Sequence, residues 1–114
     1  MSINEIIEGL LKDIAPVAQD EYTGNSKKYI LYIYETESPM IKADDEVLID
    51  KVSLQIQFIC PKSFNYISTK KIIRNRLESA GFSMIEVRTI LSDAIKGTEK
   101  QRQIIFSVEY AESR

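Results

Sequence analysis

Three consecutive acidic residues, Asp44, Asp45 and Glu46, are the first candidate for chemistry in this sequence. Carboxylate oxygens are ligands that Mg²⁺ and Ca²⁺ prefer, so this run could hold a hard cation. However, it lacks the spaced oxygens and the glycine of an EF-hand loop, and aspartate side chains often bond to their own backbone in turns. We therefore favour a solvated turn that leads into a strand over a metal site.

A second candidate is a basic cluster formed by Lys70, Lys71, Arg74 and Arg76. These side chains could bind phosphate groups or an acidic partner, although a charged outer face is the common state of any amphipathic helix. Acidic residues concentrate at 35–50 and basic ones at 62–76. That asymmetry would suit a head-to-tail ring in which the acidic loop of one subunit meets the basic helix of the next. The candidate assembly interface is Asp44, Asp45, Glu46, Lys70, Lys71 and Arg74.

Aromatic residues form a third group, at Tyr29, Tyr32, Tyr34, Phe106 and Tyr110. Such side chains on a sheet could stack on the bases of single-stranded nucleic acid. Packing in the core and across strands is the interpretation that we favour, because aromatic residues are enriched in strands in general. The polar residues Ser53, Gln55 and Gln57 offer neither charge nor an aromatic surface, which indicates a protein-contact or solvent face.

The chain contains no histidine and one cysteine, Cys60. Zinc sites built from Cys and His, and nucleophiles activated by His, are thereby excluded within one chain. Cys60 ends an apolar run and has no histidine to activate it, so we expect a small buried hydrophobic residue. We expect no catalytic residues, no cofactor and no enzymatic activity.

Length and composition indicate one folded domain spanning residues 1–114. Hydrophobic residues make up 44% of the chain and charged residues 28%, which are ordinary values for a globular protein. The formal charge of -2 and the pI of about 5.2 argue against a protein that coats nucleic acid. We expect synthesis in the cytoplasm without membrane insertion, because no apolar run is long enough and no secretory signal is evident.

Hydrophobic periodicity predicts the elements of the N-terminal half. Ser2 and Glu5 have the spacing of a capping box, which predicts a helix over 2–14 that ends before Pro16. The segment "KYILYIYET" reads as a strand, and "ESPMIKADDE" as a loop interrupted by proline. Val52, Leu54, Ile56 and Phe58 then alternate with polar residues, which is typical of a strand with one buried face.

The C-terminal half predicts one more helix and two more strands. The stretch "SFNYISTKKIIRNRLESAG" is amphipathic, with Gly81 placed to cap the helix. "FSMIEVRTIL" and "RQIIFSVEYAE" read as strands. The expected fold is α+β in the order αββαββ, with an antiparallel or mixed four-stranded sheet and two helices packed on one face, its body spanning 28–111.

The segment from 28 to 87 resembles the small tail-completion proteins of phages and prophages of Gram-positive bacteria, which are tail terminator-like and join heads to tails. The elements that carry the resemblance are Tyr32 and Tyr34 in the first strand, the loop sequence Ala43-Asp44-Asp45-Glu46, and Ala80-Gly81-Phe82 after the helix. The order and spacing of these elements match the family pattern over roughly 28–110.

This resemblance implies a structural role without catalysis. Similar proteins form a ring, often hexameric, that caps the tail tube, stops its polymerisation and presents a surface to the head. The implied partners are further copies of the chain, in a ring that forms either in solution or only once the subunits reach the tail, together with the tail tube protein and a head completion or connector protein. The implied location is the bacterial cytoplasm during assembly and then the virion tail. A nucleic-acid-binding module that uses the sheet aromatics and the basic second helix is the alternative.

Overall fold

The computed structural model describes residues 2–43, 46–92 and 100–113, with side chains described in those ranges except at 41–48. The described chain forms two helices and five strands. They are α1 (Ile3–Leu11), β1 (Val17–Gln19), β2 (Tyr29–Ala43), β3 (Glu46–Pro61), α2 (Ile67–Ser79), β4 (Ser83–Ser92) and β5 (Gln101–Ser113).

The five strands form one mixed sheet in the order β1-β2-β3-β5-β4. Strand β1 runs parallel to β2, and every other neighbouring pair is antiparallel. Ile56 at the centre of β3 pairs with Tyr32 on β2 and with Phe106 on β5, and Phe106 pairs in turn with Val87 on β4. These four residues define the middle row of the sheet.

The predicted four-stranded sheet in the order αββαββ was wrong, because it omitted β1. That strand has only three residues, which is too short for a periodic pattern to be read from the sequence. Backbone pairing forms it: the Ile30 N–H donates to the Pro16 carbonyl at 2.7 Å, and the Asp20 N–H donates to the Tyr32 carbonyl at 3.1 Å. Asp20 then turns the chain away with a φ of 65°.

The loop predicted between the first two strands was also wrong in extent, because β2 continues to Ala43. The register of β2 against β3 shifts between Tyr34 and Thr36 and again between Pro39 and Ile41. Pro39 has no N–H, and a proline is tolerated in a strand at a sheet edge or near a bulge. No described strand pairs with the outer edge of β2 beyond Tyr32, so the proline does not end the strand.

Both helix termini that the sequence marked are capped as expected. The Ser2 hydroxyl accepts the Glu5 N–H at 3.2 Å, and the Ser2 N–H donates to the Glu5 carboxylate at 3.2 Å, which completes the capping box. Helix α2 ends in a Schellman motif, with Gly81 at φ 99° and the Phe82 N–H bonded to the Leu77 carbonyl at 3.0 Å.

The core lies between the two helices and one face of the sheet, which we call the helix-side face. Helix α1 contributes Ile3, Ile7 and Leu11, and α2 contributes Ile73 and Leu77. The sheet supplies the alternating residues of its three long central strands, namely Ile30, Tyr32, Val52, Leu54, Ile56, Phe58, Cys60, Ile104, Phe106 and Val108. The opposite face carries neither of the described helices, and we call it the helix-free face.

Candidate functional site

The basic residues predicted as an assembly interface lie together on one flank of α2. Lys70, Lys71 and Arg74 line an open groove of about 380 Å³ with Tyr66 and Ile67. The side chain of Ile67 is 55% exposed, so the groove combines an apolar floor with three cations. An acidic surface with an apolar centre would complement this groove in charge and polarity.

Contacts on opposite sides of α2 fix which way this flank points. The Arg76 guanidinium reaches α1, where it donates to the Leu10 carbonyl at 2.7 Å and binds the Asp13 carboxylate. On the other side, the Lys70 ammonium donates to the Thr89 hydroxyl of β4 at 3.2 Å. The groove therefore lies on the side of α2 that faces away from α1, above β4 at the edge of the sheet.

Two of the three groove cations also have partners within the chain. Arg74 pairs with Glu78 one turn later, at 3.0 Å between Nε and Oε1, and Lys70 bonds to Thr89. Lys71, the third cation of the groove, is exposed. Exposed pairs of this kind are weak and can be exchanged for contacts with a partner at small cost.

The acidic half of the predicted interface is only partly described. Asp44 and Asp45 lie outside the described residues. Glu46 is the first residue of β3 and pairs with Ala43, and its side chain lies outside the described part. Exposed acidic residues do occur nearby on β2, at Glu35 and Glu37, and both belong to the described side chains.

The helix-free face has an uncharged centre built from glutamine amides and aliphatic side chains. The Gln57 amide donates to Gln55 Oε1 at 3.0 Å and accepts a hydrogen bond from Gln103 Nε2 at 2.7 Å, although Gln57 is only 9% exposed. Around this chain of amides lie the aliphatic residues that pair with it across the strands or continue the same rows, namely Leu31, Ile33, Ile59, Ile90 and Ile105. These two hydrogen bonds link the three amides, so the centre of the face is polar but uncharged, and its contact with a partner would desolvate no charge.

In the described part of the chain, the ion pairs of the helix-free face lie at its border. Lys51 pairs with Glu109 at 3.2 Å, and Arg88 pairs with Glu86 at 3.0 Å. A neutral centre with a charged rim is the usual composition of a protein-contact surface. The sequence singled out Gln55 and Gln57 for such a face but missed Gln103, which only the strand register brings beside them.

A contact that the sequence did not indicate joins Tyr66 and Arg102. The guanidinium of Arg102 lies 4.5 Å from the centre of the Tyr66 ring. Its Nε is buried without a hydrogen-bond partner among the described residues, so the aromatic face supplies the compensation for its charge. This contact holds the start of α2 against the start of β5, at one end of the basic groove.

Four of the five strand aromatics lie in the core or pack against it, as we favoured, namely Tyr32, Tyr34, Phe106 and Tyr110. Tyr32 is 2% exposed and Phe106 is fully buried on the helix-side face, beneath the helices. Burial is the first cause that raises the pKa of Tyr32, and the neighbouring Glu8 carboxylate adds to it. Tyr110 lies against Phe82, with 4.6 Å between the ring centres. The two buried rings offer no stacking surface to a nucleic acid.

Cys60 is buried with no exposed surface, as predicted, and this burial raises the pKa of its thiol. Among the described residues, no group of three or more His, Cys, Asp and Glu side chains is placed to hold a metal ion. No helix in the described part of the chain is long and apolar enough to cross a membrane. Comparison of the chain with protein-family models and with curated proteins gives no match.

Proposed function

We propose that this protein is a structural subunit of a phage or prophage tail, of the type that caps the tail tube as a ring and joins it to the head. The observation that carries the proposal is the helix-free face, where the glutamines at 55, 57 and 103 and the surrounding aliphatic residues form an uncharged centre. Charge is depleted at the centre of protein interfaces, whereas nucleic-acid surfaces are basic. Such a face suits contact with other protein chains.

The resemblance in the sequence supports the same proposal. Its tyrosine-rich strand corresponds to β2, and its Ala80-Gly81-Phe82 element corresponds to the Schellman motif that ends α2. In this proposal the partners are other copies of the chain, the tail tube protein and a head completion or connector protein. The chain acts through these contacts and performs no reaction, first in the bacterial cytoplasm and then in the virion tail.

Loss of the gene in the phage or prophage that encodes it tests the proposal. We expect tails of irregular length that fail to join to heads, because polymerisation would have no terminator. Supplying the chain from a plasmid should restore tails of uniform length. Normal tail length and normal head joining in the absence of the chain would refute the proposed function.

A further inference from the structure

We propose that the outer edge of β4 and the basic groove of α2 form one binding site for an extended segment of another protein, which adds to the sheet as a further strand. The segment would carry an apolar residue followed by carboxylates two and four positions later. This site lies on the helix-side face. It is therefore separate from the helix-free face that carries the proposed function, and the inference goes beyond that function.

One side of β4 is unpaired in the described part of the chain. The strand pairs with β5 from Ser83 to Ser92, and no described strand lies on its other side. The register shifts between Met84 and Glu86, whereas from Glu86 onward it is regular. Bulges and prolines are two of the devices that protect a free edge, and the segment 87–92 has neither. This segment is therefore open to an added strand.

The open segment of β4 directs three uncharged side chains to the helix-side face, namely Val87, Thr89 and Leu91. Val87 pairs with Phe106, which is buried on that face, and side chains alternate along a regular strand. The hydrogen bond from the Lys70 ammonium to the Thr89 hydroxyl agrees with this assignment. The groove of α2 therefore brings positive charge to an edge whose own helix-side residues are neutral.

The apolar end of the site lies at Leu91. Tyr66 stacks on Arg102, which pairs with Leu91 across the strands, so the start of α2 lies level with Leu91. Ile67 is the next residue along the groove, and both Ile67 and Leu91 are exposed aliphatic side chains. An apolar side chain at this level of an added strand would cover them, and burial of apolar surface is the main driving force for association.

The cationic part of the site follows along α2. Lys70 lies level with Thr89, and α2 runs back toward the start of β4, which follows it in the chain. Arg74 comes one helical turn after Lys70, a rise of about 6 Å that equals roughly two residues of a strand. Arg74 is therefore nearly level with Val87. Carboxylates of an added strand opposite Thr89 and Val87 would complement these cations.

These three levels define the sequence of the partner segment. Antiparallel addition continues the pattern of the four long strands and is the slightly more stable kind of pairing. In such a strand, the residues opposite Leu91, Thr89 and Val87 follow at every second position and face the helix side. The segment therefore reads apolar, any residue, acidic, any residue, acidic. An aliphatic residue at the second position would contact Ile90, which is 40% exposed on the helix-free face.

Binding of a synthetic peptide to the purified chain tests this site. The probe is the peptide Leu-Val-Glu-Thr-Glu-Thr with blocked ends, titrated at low salt and followed by the amide chemical shifts of the isotope-labelled chain. We expect saturable shifts along 87–92 and in the groove, and glutamine in place of both glutamates should weaken binding about tenfold. Lys71→Ala should also weaken it. The matched control is Lys12→Ala, at an exposed lysine outside the groove, which should leave binding unchanged.

Two methylated peptides separate strand addition from attraction between charges. In an antiparallel pair, alternate residues of a strand direct their N–H groups toward the neighbouring strand. N-methylation of the valine removes an N–H on one side of the peptide, and N-methylation of the first glutamate removes one on the other side. Only one of the two methylated peptides should therefore lose binding. Equal affinities of the two, or no saturable shifts with the parent peptide, would overturn the proposal.

Other occupants of the site give different results, and each would overturn the proposal. Equal binding of the glutamine peptide and the acidic peptide would show that the cations do not select the partner. Tighter binding of a single-stranded oligothymidylate of equal charge would assign the groove to nucleic acid. Self-association of the wild-type chain that Lys71→Ala abolishes would identify the occupant as a second copy. None of these results concerns the helix-free face, so the proposed tail function is tested separately.

Discussion

The guanidinium of Arg76 on α2 binds the carboxylate of Asp13, just beyond the end of α1, through both of its terminal nitrogens, at 2.6 and 3.1 Å. The same guanidinium donates to the Leu10 carbonyl at 2.7 Å. Two parallel hydrogen bonds between one guanidinium and one carboxylate fix the relative orientation of the two groups as well as their separation. The contact therefore fixes the rotation of α2 about its own axis. That rotation decides the direction in which the groove lined by Lys70, Lys71 and Arg74 faces.

The first prediction concerns how the melting temperature of the protein falls at acidic pH. The hydrogen bond from Arg76 lowers the pKa of Asp13 below its ordinary value. A lowered folded-state pKa gives stability that is present above the unfolded pKa, roughly pH 4, and is lost as the pH falls through the folded value. Asp13→Asn should therefore flatten the fall in melting temperature below about pH 4.

Arg76→Gln should also flatten the fall in melting temperature below about pH 4, because either substitution removes the bond between Arg76 and Asp13. The double variant should be little less stable than Arg76→Gln, since that substitution already removes the bond to Asp13 together with the bond to the Leu10 carbonyl. Thermal unfolding followed by circular dichroism between neutral and acidic pH measures both effects. Additive losses in the double variant would contradict this interpretation.

The second prediction concerns the glycines at 9 and 81. Gly81 has φ 99°, and a Cβ there would meet only Tyr110 Cε1 at an ordinary 3.6 Å, so Gly81→Ala should cost about 1 kcal/mol from the backbone alone. Gly9 lies inside α1 with open space around it, so Gly9→Ala should stabilise by about 1 kcal/mol. Urea unfolding measures the change in the free energy of unfolding for each variant. Changes of the same sign in the two variants would contradict this prediction.

The third prediction concerns the core under the helices. Phe58 is fully buried and contacts Phe64 edge-on, with 5.9 Å between the ring centres. Phe58→Ala should lower the free energy of unfolding by about 3 to 5 kcal/mol. The control is Ile72→Ala, at a side chain that is 44% exposed, which should change it by about 0.5 kcal/mol or less. A loss below about 1 kcal/mol for Phe58→Ala, which is typical of an exposed position, would show that this side chain is not buried under the helices.

The fourth prediction concerns the thiol of Cys60. Because the side chain is buried and burial raises its pKa, a thiol reagent at neutral pH should leave it unmodified in the folded protein. Complete modification should follow in denaturant. Prompt reaction of the folded protein would contradict the placement of this residue in the core.

Much of the local structure could be predicted because its signals are local. The capping box at Ser2, the alternation from Val52 to Phe58 and the glycine after α2 each depend on a few neighbouring residues, and each was confirmed. Strand β1 could not be predicted, since three residues carry no period and parallel pairing to β2 depends on residues further along the chain. The full length of β2 was not predicted because of Pro39. A proline normally indicates the end of a strand, unless the strand is known to lie with its N–H groups on an unpaired sheet edge.

The candidate site was predictable as a group of residues but not as a surface. Helical spacing placed Lys70, Lys71 and Arg74 near one another, and the structure brings them into one groove. The position of that groove above β4 depends on the contacts of Arg76 and Lys70, which join residues distant in sequence. Gln103 was missed for the same reason, because only the pairing of β3 with β5 places it beside Gln57.

Negative-stain electron microscopy of the purified chain mixed with tail tubes tests the central claim most directly. The account predicts rings seated on one end of each tube, with tube lengths that stop increasing once the chain is added to polymerising tube protein. Tubes that keep growing with bare ends in the presence of excess wild-type chain would contradict the account.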